Sequence, residues 1–122
     1  MVGTTNPVTW FEVHTPDPAR TRRFYEAMFG WSFAADMAGY DLIGMGEDAP
    51  IGGGIASTGP DHLPMNVFCV QVTDVEDVCR RVGEAGGSVV RDRQTSDAGL
   101  AFAYLSDPNG SVFGVWTPPT GG

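Results

Sequence analysis

Basic residues are scarce in this chain: 7 Lys and Arg stand against 15 Asp and Glu, which leaves a formal net charge of -8. So few cations cannot displace the counterions of a phosphate backbone, and a nucleic-acid partner is not expected. Cysteine is nearly absent too. Cys69 and Cys79 lack CxxC spacing, so they point to neither a zinc knuckle nor a disulfide framework, and both are expected to stay reduced. No apolar run is long enough to span a bilayer, so no membrane partner is expected. Met1 to Asn6 show neither the basic patch nor the apolar segment of a secretory leader, which makes the cytoplasm the expected compartment. The glycines at 52–54 come without a GxxxxGK[ST] pattern or a following helix, which argues against a phosphate cradle.

The 122 residues suffice for one domain but not for two ordinary ones. Their order reads as one supersecondary unit used twice. In the first copy Val8 to His14 alternates as a strand, with Trp10, Glu12 and His14 on one side and Phe11 and Val13 on the other. Only the Phe11/Val13 side reads as core. Asp17-Pro18 opens a helix by supplying an acceptor for free N–H groups and a residue that needs no donor, and Gly30 closes it. Phe24, Tyr25, Met28 and Phe29 form its apolar stripe, expected to cover a sheet face, with Arg20, Arg22, Arg23 and Glu26 on the solvated side. Strands at 31–34, 40–43 and 51–56 complete this module, about residues 7–57.

A linker at 58–64 is punctuated by Gly59-Pro60 and Leu63-Pro64. The second module, about 65–118, begins with a strand at Met65 to Val72. Asp74 then caps a helix whose stripe is Val75, Val78, Cys79, Val82 and Ala85. Strands at 88–93, 100–105 and 111–116 follow, the last two joined by a tight turn at Asp107-Pro108-Asn109-Gly110. The fold class is therefore α+β, with βαβββ order twice.

Phe11-Glu12-Val13, Asp17-Pro18-Ala19-Arg20, Phe24-Tyr25, Phe29-Gly30-Trp31 and Asp107 to Gly114 together resemble the vicinal oxygen chelate superfamily, the glyoxalase/bleomycin resistance/dioxygenase proteins. The resemblance covers nearly the whole chain. It implies two modules whose curved mixed sheets wrap a shared cavity, usually in a homodimer. It also implies four metal ligands, typically His, Glu, His and Glu, from the first and last strand of each module. Aligned on these motifs the positions fall at Trp10, within Ile51 to Ala56, at Val67 and at Gly114, none of which offers a side-chain donor. The expectation is no metal and no cofactor.

Strand parity from those positions names the cavity wall: Trp10, Glu12 and His14; Val67, Cys69 and Gln71; and Gly114 with Val112 and Trp116. Trp10 and Trp116 could sandwich a planar ligand, or simply fill the volume of the lost metal. Glu12, with His14, is the candidate catalytic pair: a poorly solvated carboxylate suits a general acid or base, while the plain alternative is a structural carboxylate bonded to backbone. Cys69 reads as a buried inert thiol and His62 as solvated.

Three functions follow. The first is metal-independent binding of a small organic molecule, such as sequestering a planar natural product, with Trp10, Glu12, Val67, Cys69, Gln71, Gly114 and Trp116 as the ligand wall. The second is a metal-free isomerase, cyclase or lyase using Glu12 and His14. The third, a metal-dependent lyase or dioxygenase, would need atypical ligands such as Glu12 and His14 with further donors.

Overall fold

A computed structural model describes residues 6–119; the leader expectation for the extreme N-terminus falls mainly outside them. The elements run β1 (Val8–Thr15), α1 (Pro18–Phe29), β2 (Ser32–Met37), β3 (Tyr40–Gly44), β4 (Gly52–Ser57), β5 (Met65–Gln71), α2 (Val75–Val82), β6 (Ser88–Thr95), β7 (Ala101–Ser106) and β8 (Val112–Thr117). The architecture is α+β with mixed strand pairing, in the expected βαβββ order twice. Two compact units emerge among the described residues, one of Thr9–Val67 and one that joins residues 6–8 to 68–119.

In the Thr9–Val67 unit the strand order is β2-β3-β4-β1. β2, β3 and β4 pair antiparallel, whereas β1 and β4 pair parallel, which requires the long return through α1, β2 and β3. Asp17 caps α1 by accepting from Arg20 N at 3.1 Å, and Gly30, at φ 71, takes the left-handed stop that a side chain would resist. The helix lies over the sheet face of Phe11 and Ile55: Tyr25 stacks on Trp31 at 5.2 Å, Trp31 meets Phe11 at 6.2 Å, and Arg22 pairs with Asp41.

Two sequence expectations change here. Of the α1 stripe only Tyr25 is drawn in, while Phe24, Met28 and Phe29 stay more than half exposed, and Arg22, expected in solvent, is half-buried against Asp41. Periodicity orders residues around a helix but does not fix which arc meets the sheet. On β1 the polar side proves the more buried: Glu12 and His14 are each 7% exposed, whereas Phe11 and Val13 are intermediate.

In the second unit the order is β5-β8-β7-β6, with β5 and β8 parallel and the remainder antiparallel. Asp74 caps α2 by accepting from Asp77 N. Val75 is buried, and Val78, Cys79 and Val82 pack with it on Val72, Ala103, Leu105 and Val115. Ala85 lies past the end of the helix and is exposed, because the chain already turns from Gly83. The turn at Asp107 forms as expected, its carboxylate accepting from Asn109 N at 2.9 Å and Ser111 N at 3.0 Å.

Candidate functional site

Register decides which side chains meet on the face of the first unit opposite α1. Trp10 pairs with Gly52, Glu12 with Gly54 and His14 with Ala56 across the parallel β1/β4 ladder, and Ala56 pairs onward with Tyr40 of β3. Partners in register share a face, so Trp10, Glu12, His14 and Tyr40 stand on one surface around the glycines.

The glycines are what let them meet. A methyl group placed on Gly52 would run into the six-membered ring of Trp10, and one placed on Gly54 would run into the phenol of Tyr40, in both cases inside 3.0 Å. A Gly53 substituent would strike Phe11 on the other face. The three glycines thus admit rings of their own unit, a close approach that a glycine in a strand permits.

Above this strand the polar atoms join in one chain. Trp10 Nε1 donates to Tyr40 Oη at 2.8 Å, Tyr40 Oη donates to Glu12 Oε2 at 2.8 Å, and Glu12 Oε1 meets His14 Nε2 at 2.8 Å. The last two partners are nearly sealed, each with 9% of its side chain exposed. A carboxylate so placed needs donors, and the phenol and imidazole supply them. Chemically the group can hold a proton, orient a hydrogen-bonding ligand, or lock the strands together.

Tyr40 was missed from the sequence. The available signal was an aromatic residue within cross-strand reach of a glycine, a pairing common in sheets.

On the second unit, Cys69 pairs with Gly114 and Gln71 with Trp116, again on the face away from the helix. Cys69 is buried, and its Sγ lies 3.0 Å from where a Gly114 side chain would begin. Phe102 and Tyr104, paired in register with Trp116 and Gly114, bring two aromatic rings to this face that the sequence reading did not name. Val67 is 1% exposed within the first unit. Trp10 and Trp116 belong to different units. His62 is exposed, as expected, and Cys79 is partly buried; burial of its thiol, with Asp92 next in effect, pushes its pKa above the usual cysteine value. Neither Cys69 nor Cys79 forms a disulfide among the described residues.

The divalent ion implied by the resemblance does not fit these residues. Indole and phenol rings fill the space beside Gly52 and Gly54, Cys69 Sγ fills that beside Gly114, and Val67 is aliphatic. Glu12 and His14 have no third donor at hand, since among the described residues no three His, Cys, Asp or Glu gather as a metal group would require. No helix of the described residues is long and apolar enough to cross a membrane. Two open grooves lie elsewhere, one beside α2 with Asp74, Cys79 and Asp92, the other beside α1 with Arg22, Arg23 and Asp41; neither is lined by a residue of the Glu12 cluster.

Comparison with known proteins gives a consistent set of similarities. Residues 10–116 match the glyoxalase-like domain family. The chain is 29% identical over 122 residues to the protein named "Putative glyoxylase CFP32" of Mycobacterium tuberculosis, covering 97% of this chain and 46% of that protein. It is 25% identical over 124 residues to "Anthracycline biosynthesis protein DauV" of Streptomyces sp. strain C5, covering 88% and 45% respectively. The chain therefore spans about half the length of the curated relatives it matches. Among solved structures, methylmalonyl-CoA epimerase from Mycobacterium tuberculosis superposes with a TM-score of 0.68 at 13% identity, over 98% of this chain and 94% of that one. A methylmalonyl-CoA epimerase in complex with methylmalonyl-CoA and NH4+ gives 0.62 at 12%, over 94% and 96%. Likeness at these identities is a likeness of fold.

Proposed function

Because the chain belongs to the glyoxalase-like family of the vicinal oxygen chelate superfamily, we propose that it binds a small, planar organic molecule without a metal ion. The observation that carries this is the pair of rings, Trp10 and Tyr40, laid on Gly52 and Gly54 beside the Glu12 carboxylate. An apolar aromatic floor with a few convergent polar groups is the usual makeup of a small-molecule site. Flat rings offer stacking area, and Glu12 and His14 offer orientation. The anthracycline-biosynthesis relative adds support for a polycyclic aromatic ligand. On the second unit, the face of Cys69, Gln71, Gly114 and Trp116 is proposed to contribute ligand contacts of the same aromatic kind, and Val67 to serve as an apolar contact.

Titration with a hydroxylated anthraquinone, following tryptophan emission, tests the reading. Saturable quenching that is lost in Trp10→Ala is expected; unperturbed emission across a panel of planar polycyclic compounds ends it.

A second reading has its own observation, the sealed Glu12–His14 contact at 2.8 Å. There the pair moves a proton in an isomerisation, cyclisation or lyase step on a carbonyl compound. Glu12→Gln should then abolish turnover and keep ligand affinity, and unchanged turnover in that variant removes it. The chain is further proposed to be a single domain of two modules that works as a homodimer in the cytoplasm. The apolar surface of Phe24, Met28 and Phe29 on α1 supports the pairing.

A further inference from the structure

Tyr40, like Glu12, bonds to two other side chains of the cluster, and no ligand position implied by the family falls on it. Its ring occupies the volume over Gly54, and its hydroxyl lies between two partners whose chemistry fixes the direction of every proton. An indole N–H can only donate, so Tyr40 Oη accepts from Trp10. The single hydroxyl proton is then directed to Glu12 Oε2 at 2.8 Å. Glu12 Oε1 is taken up by His14 Nε2 at 2.8 Å. The phenol is therefore polarised by one neighbour toward the other, which strengthens its bond to the carboxylate. Filling space over Gly54 would need only the ring; the hydroxyl does something more.

We propose that Tyr40 is the positioning residue of this site: its hydroxyl, oriented by Trp10, holds one oxygen of Glu12 and so fixes the carboxylate at His14, where it meets the ligand. This rests on the reading that the Glu12 edge receives a small molecule, and it narrows the ligand class. A carboxyl group with 9% of its side chain exposed offers an acceptor in a poorly solvated place, which suits an O–H or N–H donor and disfavours a second anionic group beside it. The net charge of -8 acts in the same direction. The favoured ligand is thus an uncharged planar molecule bearing hydroxyl groups, and its carboxylated analogue is disfavoured.

Tyr40→Phe separates the two roles, since it keeps the ring and deletes the hydroxyl. In labelled protein the indole N–H resonance of Trp10, identified by its loss in Trp10→Phe, and the carboxyl carbon of Glu12 should both move. Affinity for a dihydroxyanthraquinone should fall about tenfold, and Tyr40→Phe/Glu12→Gln should lose no more than either single variant, because both act through one carboxylate. Wild-type resonances in Tyr40→Phe overturn the proposal, as do shifted resonances with unchanged affinity. If wild type binds no anthraquinone at all, the ligand reading fails and the narrowed ligand class fails with it, while the two resonances still decide whether Tyr40 holds Glu12. Should Tyr40→Phe not fold, Glu12→Gln serves instead: the Trp10 indole resonance moves as the carboxylate is lost, and its staying in place overturns the proposal.

Discussion

Gly54→Ala probes the arrangement most directly, because one methyl group sets the glycine against the ring above it. The new carbon would fall within 3.0 Å of Tyr40 Oη, Cζ and Cε1, a separation that real methyl carbons do not tolerate. Either the backbone shifts, an overpacking cost of about 1–3 kcal/mol, or the phenol swings away and Glu12 loses a donor, about 1.5–3 kcal/mol for a bond to a charged acceptor. Restricting the unfolded chain returns roughly 0.4–1 kcal/mol. The net loss should be about 0.5–2.5 kcal/mol, a sizeable share of the roughly 5–15 kcal/mol that holds a domain of this size folded. Urea unfolding followed by far-UV circular dichroism measures it. The decisive comparison is the same substitution in a Tyr40→Ala background, where the obstacle is gone. There Gly54→Ala should be neutral or slightly stabilising. An equal penalty in both backgrounds would show that the ring is not what the glycine accommodates, and the account of the site would fall with it.

Other outcomes follow from particular contacts. Gly114→Ala should cost less than Gly54→Ala, about 1 kcal/mol or below, because the obstructing atom is the lone Cys69 Sγ at 3.0 Å rather than a ring; unfolding curves for both variants check the order. Leu105→Ala should cost about 2–5 kcal/mol, since Leu105 is 0% exposed within the cluster under α2, and a value below 1 kcal/mol by the same assay contradicts that packing. Cys79 should alkylate with iodoacetamide more slowly than a model thiol at pH 8, because burial, with Asp92 next, raises its pKa and lowers its thiolate fraction; the rate should climb as pH rises past the ordinary thiol range. Phe24→Glu places a charge on the exposed flank of α1, and if the chain pairs through that surface, sedimentation should report a shift toward monomer with the fold intact.

The legible parts of this molecule were those in which cause and consequence sit a few residues apart. Asp17 and Pro18 start a helix because a free N–H and an unneeded one are their immediate neighbours, and Asp107 shapes its turn by accepting from Asn109 and Ser111. Alternation along β1 correctly grouped Trp10, Glu12 and His14. It could not tell which group would be better covered, because the partners on that side come from distant sequence: Tyr40, which donates to Glu12, lies 28 residues from it. The same limit applies to α1, where the apolar spacing was read correctly and the half-buried arc turned out to include Arg22, drawn inward by Asp41 on a strand that folds back later. The glycines of β4 showed only that they lack the marks of a phosphate cradle; that the rings of Trp10 and Tyr40 fill the space beside them follows from strand pairing that no local stretch states.

That filling bears on how the site could change. Gly54 and Gly114 hold matching places in the two units, each on the terminal strand of a parallel pair, opposite Glu12 and Cys69 respectively. In both, the missing side chain is replaced by an atom group of the same unit, a phenol in one and a thiol in the other. Neither half of such an exchange is neutral alone. A side chain added at Gly54 meets the phenol, and a phenol removed leaves a void beside a buried carboxylate deprived of one of its donors, the costlier kind of defect. The glycine and its filler are therefore coupled, and a side chain can be added at position 54 of β4 only if Tyr40 is cut back as well. The cluster of Trp10, Tyr40, Glu12 and His14 is thus a self-consistent set, in which the ring that lies over Gly54 also carries the hydroxyl that donates to Glu12.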